Sequence, residues 1–318
     1  MGEIGILSGA EIDSVGLTPE ECVALIRRTL ELHARGELEM PPKSGVHPPS
    51  GRHVHAMSAF IPGMQALGLK WIADFPKNRR IGLPTLSSII ILNDPETGVP
   101  LCIMDGAGIT AARTAAMTAV SLLSCAREDA ETAVILGTGV QATAQARFLP
   151  AILPRLRRIY VVGSDVAKAT RFCAETGSAR FVPAETREEA VRAADIVVSV
   201  TNAVRDPLLE ADWLKPGVTA VVLDNGGKET GILPFVDRIV VDDRRPFQSE
   251  EVRHRFPSGV PRLDAEMGEI LAGKAIGRSN NRERILVLNL GIAACDISVA
   301  AEVYRRAIQL GIGKRICF

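Results

Sequence analysis

What this 318-residue chain lacks narrows its function first. It has no excess of either charge, because 37 Lys and Arg balance 37 Asp and Glu. No basic stripe stands out locally either, so it has no electrostatic footprint for nucleic acid. The pairs Arg157-Arg158 and Arg305-Arg306 read as solvated helix ends or faces. No apolar run approaches the roughly 20 residues that span a bilayer, and MGEIGILSGAEID has no basic region ahead of an apolar core. Ile6 stands where a myristoylation signal has Ser or Thr. The six cysteines, Cys22, Cys102, Cys125, Cys173, Cys295 and Cys317, have neither CxxC nor Cys/His ligand spacing. Reduced, mostly buried thiols in a cytoplasmic protein are the expectation. At 47% hydrophobic and 23% charged, the chain has enough apolar material for two ordinary cores.

The most informative stretch present is AVILGTGVQATAQARF, from Ala133 to Phe148. An apolar strand breaks at Gly137-Thr138-Gly139 and resumes as a helix. In such a turn Gly137 lets the chain leave the strand sharply, Gly139 lets the backbone approach a pyrophosphate, and Ala142 packs helix against strand. The phosphates then meet free N–H groups and the positive end of the helix dipole. An ordinary glycine turn uses the same residues, so the surrounding order of elements decides. Val140–Leu149 reads as a helix limited by Pro150 and Arg158–Val162 as a second strand. A polar helix over 166–176, a strand over 180–183, a helix over 187–194 and apolar runs at 196–200, 218–223 and 239–241 follow. This alternation predicts a doubly wound parallel sheet of the Rossmann type.

The flanking chain has a different character. Pro19 to about Leu38 has apolar positions at helical spacing, with Thr18 as N-cap ahead of Pro19. MPPKSGVHPPSGRHVHAM reads as a loop entering a strand, and residues 68–72 and 86–92 read as strands, the second ending in the turn Asn93–Gly98. Residues 108–124 form a helix rich in small residues, 285–290 a strand and 295–310 a long helix. These ends are expected to build one α+β domain (1–118 and 287–318) around an inserted dinucleotide-binding domain (119–286).

The motifs GLKWIADFPKN, GLPTLSSIIILNDPETGVPL, ITAARTAAMTAV, ILGTGVQATAQ, LDNGGKE and LGIAACD, in this order and spacing, resemble the ornithine cyclodeaminase/mu-crystallin family over nearly the whole chain. The resemblance implies a homodimer whose non-Rossmann domain supplies the interface and most of the substrate pocket. It also implies a nicotinamide cofactor and chemistry at a C–N bond beside a carboxylate. No metal is implied, and His47, His53 and His55 have no matching carboxylate or cysteine ligand in sequence.

By motif, Arg113 and Lys70 match the family's substrate-binding arginine and lysine, and Lys43 falls where many members carry arginine. A substrate α-carboxylate calls for such donors, arginine as a fork and lysine as a point charge. Asp224, in LDNGGK, matches the catalytic aspartate; an Asx turn in Asp-Asn-Gly-Gly is the competing reading. Lys70 is the second catalytic candidate, managing a proton at the substrate nitrogen. The expected cofactor contacts are Arg113, Thr114, Gly137, Gly139, Val140, Gln141, Ser164, Asp165, Lys168 and Thr201.

Two departures bear on specificity. Ornithine cyclodeaminases place a glutamate where this chain has His55, and an imidazole pairs poorly with an ammonium. His55 is therefore a candidate contact to an extra acidic group or to the imine nitrogen, beside the simpler reading of a satisfied strand histidine. Gly163-Ser164 stand where NAD-preferring members often have an acid for the ribose 2′-hydroxyl. Its absence favours NADP over NAD, although Asp165 lies close enough to reach back. Taken together, the residues point to an NAD(P)-dependent oxidoreductase acting on the C–N bond of a small amino or imino acid, of the ketimine reductase or amino-acid dehydrogenase type. A cyclodeaminase that recycles NAD and a non-catalytic binder of NADPH and a small molecule are the alternatives.

Overall fold

A computed structural model describes residues 2–49, 52–201, 208–223, 226–256 and 258–317. The chain divides into two compact units, residues 1–113 with 292–318 and residues 114–291. The sequence places the corresponding divisions at 118/119 and 286/287.

The first unit holds β1 (Glu3–Leu7), α1 (Gly9–Ser14), α2 (Pro19–Ala34), β2 (Ser44–Val46), β3 (His53–Ile61), β4 (Ala66–Asp74), β5 (Leu86–Asn93) and β6 (Pro100–Asp105). The helix α3 (Ala107–Cys125) contains the division between the units, since the boundary falls after Arg113. The start of α2 is set by its sequence. Thr18 accepts from the Glu21 N–H, Glu21 returns the bond to the Thr18 N–H, and Pro19 occupies the first turn, where no N–H is missed.

The second unit follows as β7 (Thr132–Leu136), α4 (Val140–Ile152), β8 (Arg158–Val162), α5 (Val166–Thr176), β9 (Phe181–Pro183), α6 (Arg187–Ala193), β10 (Ile196–Ser199), β11 (Thr219–Leu223), β12 (Arg238–Val241), α7 (Glu250–Arg253), β13 (Ala265–Glu266), α8 (Met267–Leu271) and β14 (Ile285–Asn289). Its eight strands run in the order β13-β12-β14-β11-β10-β7-β8-β9, and every neighbouring pair is parallel. The interior strands are continuous apolar runs such as TAVVL and ILVLN, the composition of strands covered on both faces. Val134, Leu136, Val197, Val222 and Leu288 lie in one buried cluster there. Pro150 does not limit α4 as the sequence suggests. The helix runs three residues past Leu149, because a proline in the last turn forfeits a single N–H and leaves the preceding turns intact.

The chain then returns to the first unit as α9 (Ala293–Leu310), stopped by Gly311 at φ 66°, and β15 (Lys314–Cys317). The first unit's sheet has the order β15-β1-β6-β5-β4-β3-β2, antiparallel except for β1 and β6. Strands β1, β6 and β15 and the short β2 go beyond the sequence reading. They are short or polar, and β2 lies inside a Pro/Gly-rich stretch whose local signals are those of a loop. α9 crosses β3, β4 and β5 and also packs on α2. Its apolar early turns bury one sheet face, on which Met57, Ala59 and Ile61 of β3 sit beside Ala66 and Lys70 of β4. Five of the six cysteines are buried and none is disulfide-bonded. No helix among the described residues is long and apolar enough to cross a membrane.

Candidate active site

A lysine at the centre of a packed sheet face is the most unusual feature of the first unit. Lys70 stands opposite Met57 on β3 and Ile90 on β5, and its side chain is fully buried. A buried ammonium is costly unless it is paired. The pairing group is Asp296, in the first turn of α9 and also fully buried, whose Oδ2 lies 2.8 Å from Lys70 Nζ. The other oxygen of Asp296 accepts from Arg113 Nε at 2.9 Å. Arg113, only 8% exposed, projects from α3, so one carboxylate joins a strand and two helices through two cations.

The electrostatics of this cluster follow from burial. Desolvation pushes the Lys70 ammonium down from its ordinary 10.5 to about 8; Asp296 opposes the shift, while Arg113 and Lys43 reinforce it. Desolvation works against ionisation of Asp296 as well, but Arg113 and then Lys70 outweigh it and hold the carboxyl below the usual range. Lys70 thus feels two further cations, Arg113 and Lys43, as well as the carboxylate of Asp296. A lysine poised near 8 can also hold or release a proton close to neutrality. Thr110 lies one turn before Arg113 on α3, with a buried hydroxyl that has no hydrogen-bond partner.

His55 faces the same side of the sheet as Lys70. It pairs in register with Ile72, and His53 pairs with Asp74, so both histidines share the face of Lys70. His47, just past β2, joins them, with ring centroids 5.4 Å from His53 and 5.8 Å from His55. The sequence separates His47 from the other two by a Pro/Gly loop; the β2–β3 pairing closes that gap.

In the second unit the turn after β7 has the shape a nucleotide phosphate needs. Gly137 has φ 132°, and a Cβ there would lie 3.0 Å from Val200 Cγ2 and 3.5 Å from Thr201 Cβ. Gly139 is different, since a Cβ added to it would meet no protein atom within 4 Å. That open side and the absence of a side-chain cap on α4 leave the first-turn N–H groups without a capping side chain, which fits a pyrophosphate, while the fully buried Ala142 packs the helix inward. Val140 is exposed at this end, and Gln141 has a buried Oε1 without a partner. Thr114 is buried on α3 and Thr201 follows β10 beside Gly137.

The residues after β8 are committed differently from what the sequence allows. Asp165 is the N-cap of α5, accepting from the Lys168 N–H at 2.8 Å, and that bond leads the interactions that hold its carboxyl below the ordinary range. Lys168 Nζ donates to Ser164 Oγ at 2.8 Å, and both side chains also approach Asp165 Oδ2, Ser164 Oγ at 3.1 Å and Lys168 Nζ at 3.6 Å. At Gly163 a Cβ would come within 2.8 Å of the Asp165 carbonyl oxygen, so the turn into α5 closes that position to any acidic side chain. Asp224 directly follows β11 in sequence and lies outside the described residues.

Asp296 is the central residue that the sequence reading did not single out, although it ends the quoted LGIAACD motif. Its signal is there: it is the sole acidic residue between Ala293 and Ala301, a stretch otherwise apolar or small. An acid in the buried part of a helix needs a cation, and Lys70 and Arg113 were the candidates in hand.

The chain belongs to the ornithine cyclodeaminase/mu-crystallin family, whose sequence pattern matches residues 6–310. It is 32% identical over 336 residues to alanine dehydrogenase of Archaeoglobus fulgidus, with 98% of each chain covered. Among solved structures it resembles Delta(1)-pyrroline-2-carboxylate reductase of Thermococcus litoralis in complex with NADH and L-proline. The TM-score there is 0.91 at 26% identity, covering 98% of this chain and all of that one. An archaeal alanine dehydrogenase dimer with bound NAD gives a TM-score of 0.91 at 29% identity over the full length of both. Like these relatives, the protein is an enzyme.

Proposed function

We propose that the protein is an NAD(P)-dependent oxidoreductase that reduces, or forms by oxidation, the C=N bond of a small imino acid. The observation that carries this reading is the buried Lys70–Asp296–Arg113 cluster, in a chain that also has an open glycine turn of dinucleotide-binding shape. Arg113 presents its guanidinium to the substrate α-carboxylate, with Lys43 adding positive potential. Lys70, poised at about 8, holds the proton that the substrate nitrogen gains or loses. Asp296 pairs with both cations and favours the charged form of Lys70, and Asp224 is assigned the second proton-handling role on its motif. The nicotinamide, when bound, supplies or accepts the hydride. Gly137, Gly139, Val140, Gln141, Thr114 and Thr201 are the residues assigned to hold that cofactor.

Lys168 and Ser164, with position 163 closed to an acid, support a preference for NADP, whose 2′-phosphate they would face. The solved relatives have NADH or NAD bound, so this preference is a property assigned to the present chain. A homodimer is supported by the sheet face opposite Lys70. There Trp71 and Ile89 are paired in register and 43% and 44% exposed, an apolar pair suited to a second copy. Buried thiols that form no disulfide accord with a cytoplasmic setting.

The test is turnover of cyclic ketimines, and of 2-oxo acids with ammonia or methylamine, followed as oxidation of NADPH and of NADH. Consumption of cofactor with a C=N substrate is expected. Ammonia release from ornithine or lysine at constant NADH would replace this reading with a cyclodeaminase.

A further inference from the structure

The first turn of α9 carries Asp296, and its last turns cover a second concave site that has no part in the chemistry assigned above. α9 packs on β3, β4 and β5. Beyond them a cavity of about 200 Å³ opens between the end of the helix and strands β6, β1 and β15. We propose that this cavity binds an apolar α-amino acid, with its side chain between helix and sheet and its ammonium and carboxylate at a charged rim.

The cavity exists because small residues meet from both sides. Across β6, β1 and β15 the residues in register are Cys102, Gly5 and Arg315. The middle of that row therefore has no side chain, and a Cβ on Gly5 would lie 3.4 Å from Cys102 Sγ. From the helix side the lining is Ala307 and Gly311, the residue that ends α9. The walls are otherwise apolar, with Leu7, Leu101 and Ile312 among them. Apolar cavities of about 150 Å³ take up benzene, so one of about 200 Å³ has room for the side chain of leucine or phenylalanine.

The rim carries charges of both signs. Glu3 and Arg315 line the cavity and share the sheet face of Gly5. Their ion pair is 3.4 Å long with both side chains more than half exposed, so it contributes little and gives way to a ligand's own charges. An ammonium on Glu3 and a carboxylate on Arg315 leave neither group unpaired. The carbonyl end of α9, beside Gly311, favours an ammonium as well. Tyr304 also lines the cavity, and its half-buried side chain makes no hydrogen bond among the described residues. Desolvation and then Cys102 hold this phenol above its ordinary range, with Arg315 opposing, so it stays protonated and can donate to a carboxylate. A simple acid or amine would leave one rim charge without a partner, and a charged side chain would meet the apolar walls.

The test is calorimetry on the whole protein with leucine, phenylalanine, 4-methylpentanoate and 3-methylbutylamine. Leucine or phenylalanine is expected to bind about tenfold or more tightly than the acid or the amine that has only one of the two charges, the effect of losing a hydrogen bond to a charged group. Two variants outside the Lys70 cluster locate the binding. Arg315→Gln, at an exposed position, should weaken it about tenfold or more. Gly5→Val, whose β-branched side chain suits a strand and enters the cavity, should abolish it. Melting curves show whether Gly5→Val is folded; if it is not, Arg315→Gln decides. No binding of either amino acid, equal affinity for 4-methylpentanoate, or affinity unchanged in Arg315→Gln overturns the proposal, the last by placing the amino acid elsewhere. None of these readouts uses turnover, so the outcome is independent of the reading of Lys70 and Arg113.

Discussion

Lys70 Nζ lies 2.8 Å from Asp296 Oδ2, and neither side chain touches solvent. The two residues are separated by most of the chain and come from a central strand and the first turn of α9. Each makes the other's burial tolerable, and Arg113 completes the arrangement from α3.

Replacing Asp296 with Asn keeps the shape and removes the counter-charge. Two cations then remain buried without a carboxylate, for which a loss of about 3–5 kcal/mol is expected. Chemical denaturation of Asp296→Asn against wild type measures it; a midpoint unchanged within error would contradict the pairing.

The lysine also makes a signed prediction about pH. Its folded value, about 8, is below the ordinary 10.5, so between these values the unfolded chain binds more protons than the folded one. Lys70 therefore penalises folding at and below neutrality, and this penalty is relieved as pH rises from about 8 towards 10.5. The melting temperature of wild type relative to Lys70→Met should climb across that window. A flat difference, or one that falls, would refute the depressed value. In turnover, Lys70→Met is expected to lose about 10²–10⁴-fold in kcat, the range for a positioned proton-transfer group.

Gly137→Ala and Gly139→Ala should separate fold from ligand. At 137 the backbone has φ 132° and the new methyl meets Val200, so both stability and nucleotide affinity should fall, with strain of about 1–3 kcal/mol. At 139 the methyl meets no protein atom, so the melting temperature should hold while NADPH affinity drops, because the methyl occupies the space assigned to the pyrophosphate. Fluorescence titration of bound NADPH with parallel melting curves distinguishes the two. Undiminished affinity in Gly139→Ala would remove this turn from the cofactor site.

The assignment of Lys168 to a 2′-phosphate is tested by Lys168→Ala. KM for NADPH should rise about tenfold or more with KM for NADH little changed, as expected for loss of a charge-assisted contact. Equal effects on both cofactors would instead assign the Lys168 side chain to the end of α5, where its Nζ lies 3.6 Å from Asp165 Oδ2.

Much of this was legible locally. The turn at Gly137–Gly139, the cap at Thr18 and the parallel strands around β7 are written in short-range patterns, where glycine position, capping chemistry and runs of β-branched residues act over a few positions. Arg113 could be picked out because a cation inside a small-residue helix needs a partner, and Lys70 only through its place in the GLKW motif. The partner itself could not be named, since Asp296 lies 183 residues beyond Arg113 and nothing local specifies which helix will cross which strand. The histidine row was likewise half visible: HVH alternates on one strand face, while His47 joins only through the pairing of β2 with β3.

By itself, then, the sequence determined the alternation of strands and helices around β7, the glycine turn that follows β7 and the need of Arg113 for a partner, because these depend on backbone conformation and side-chain type at neighbouring positions. The tertiary structure alone decided that one carboxylate satisfies two of those cations, that Asp165 is spent on capping α5, and that His55 shares a face with Lys70. Those are matters of strand register and helix packing, which bring together residues the chain keeps far apart and thereby set their charge states.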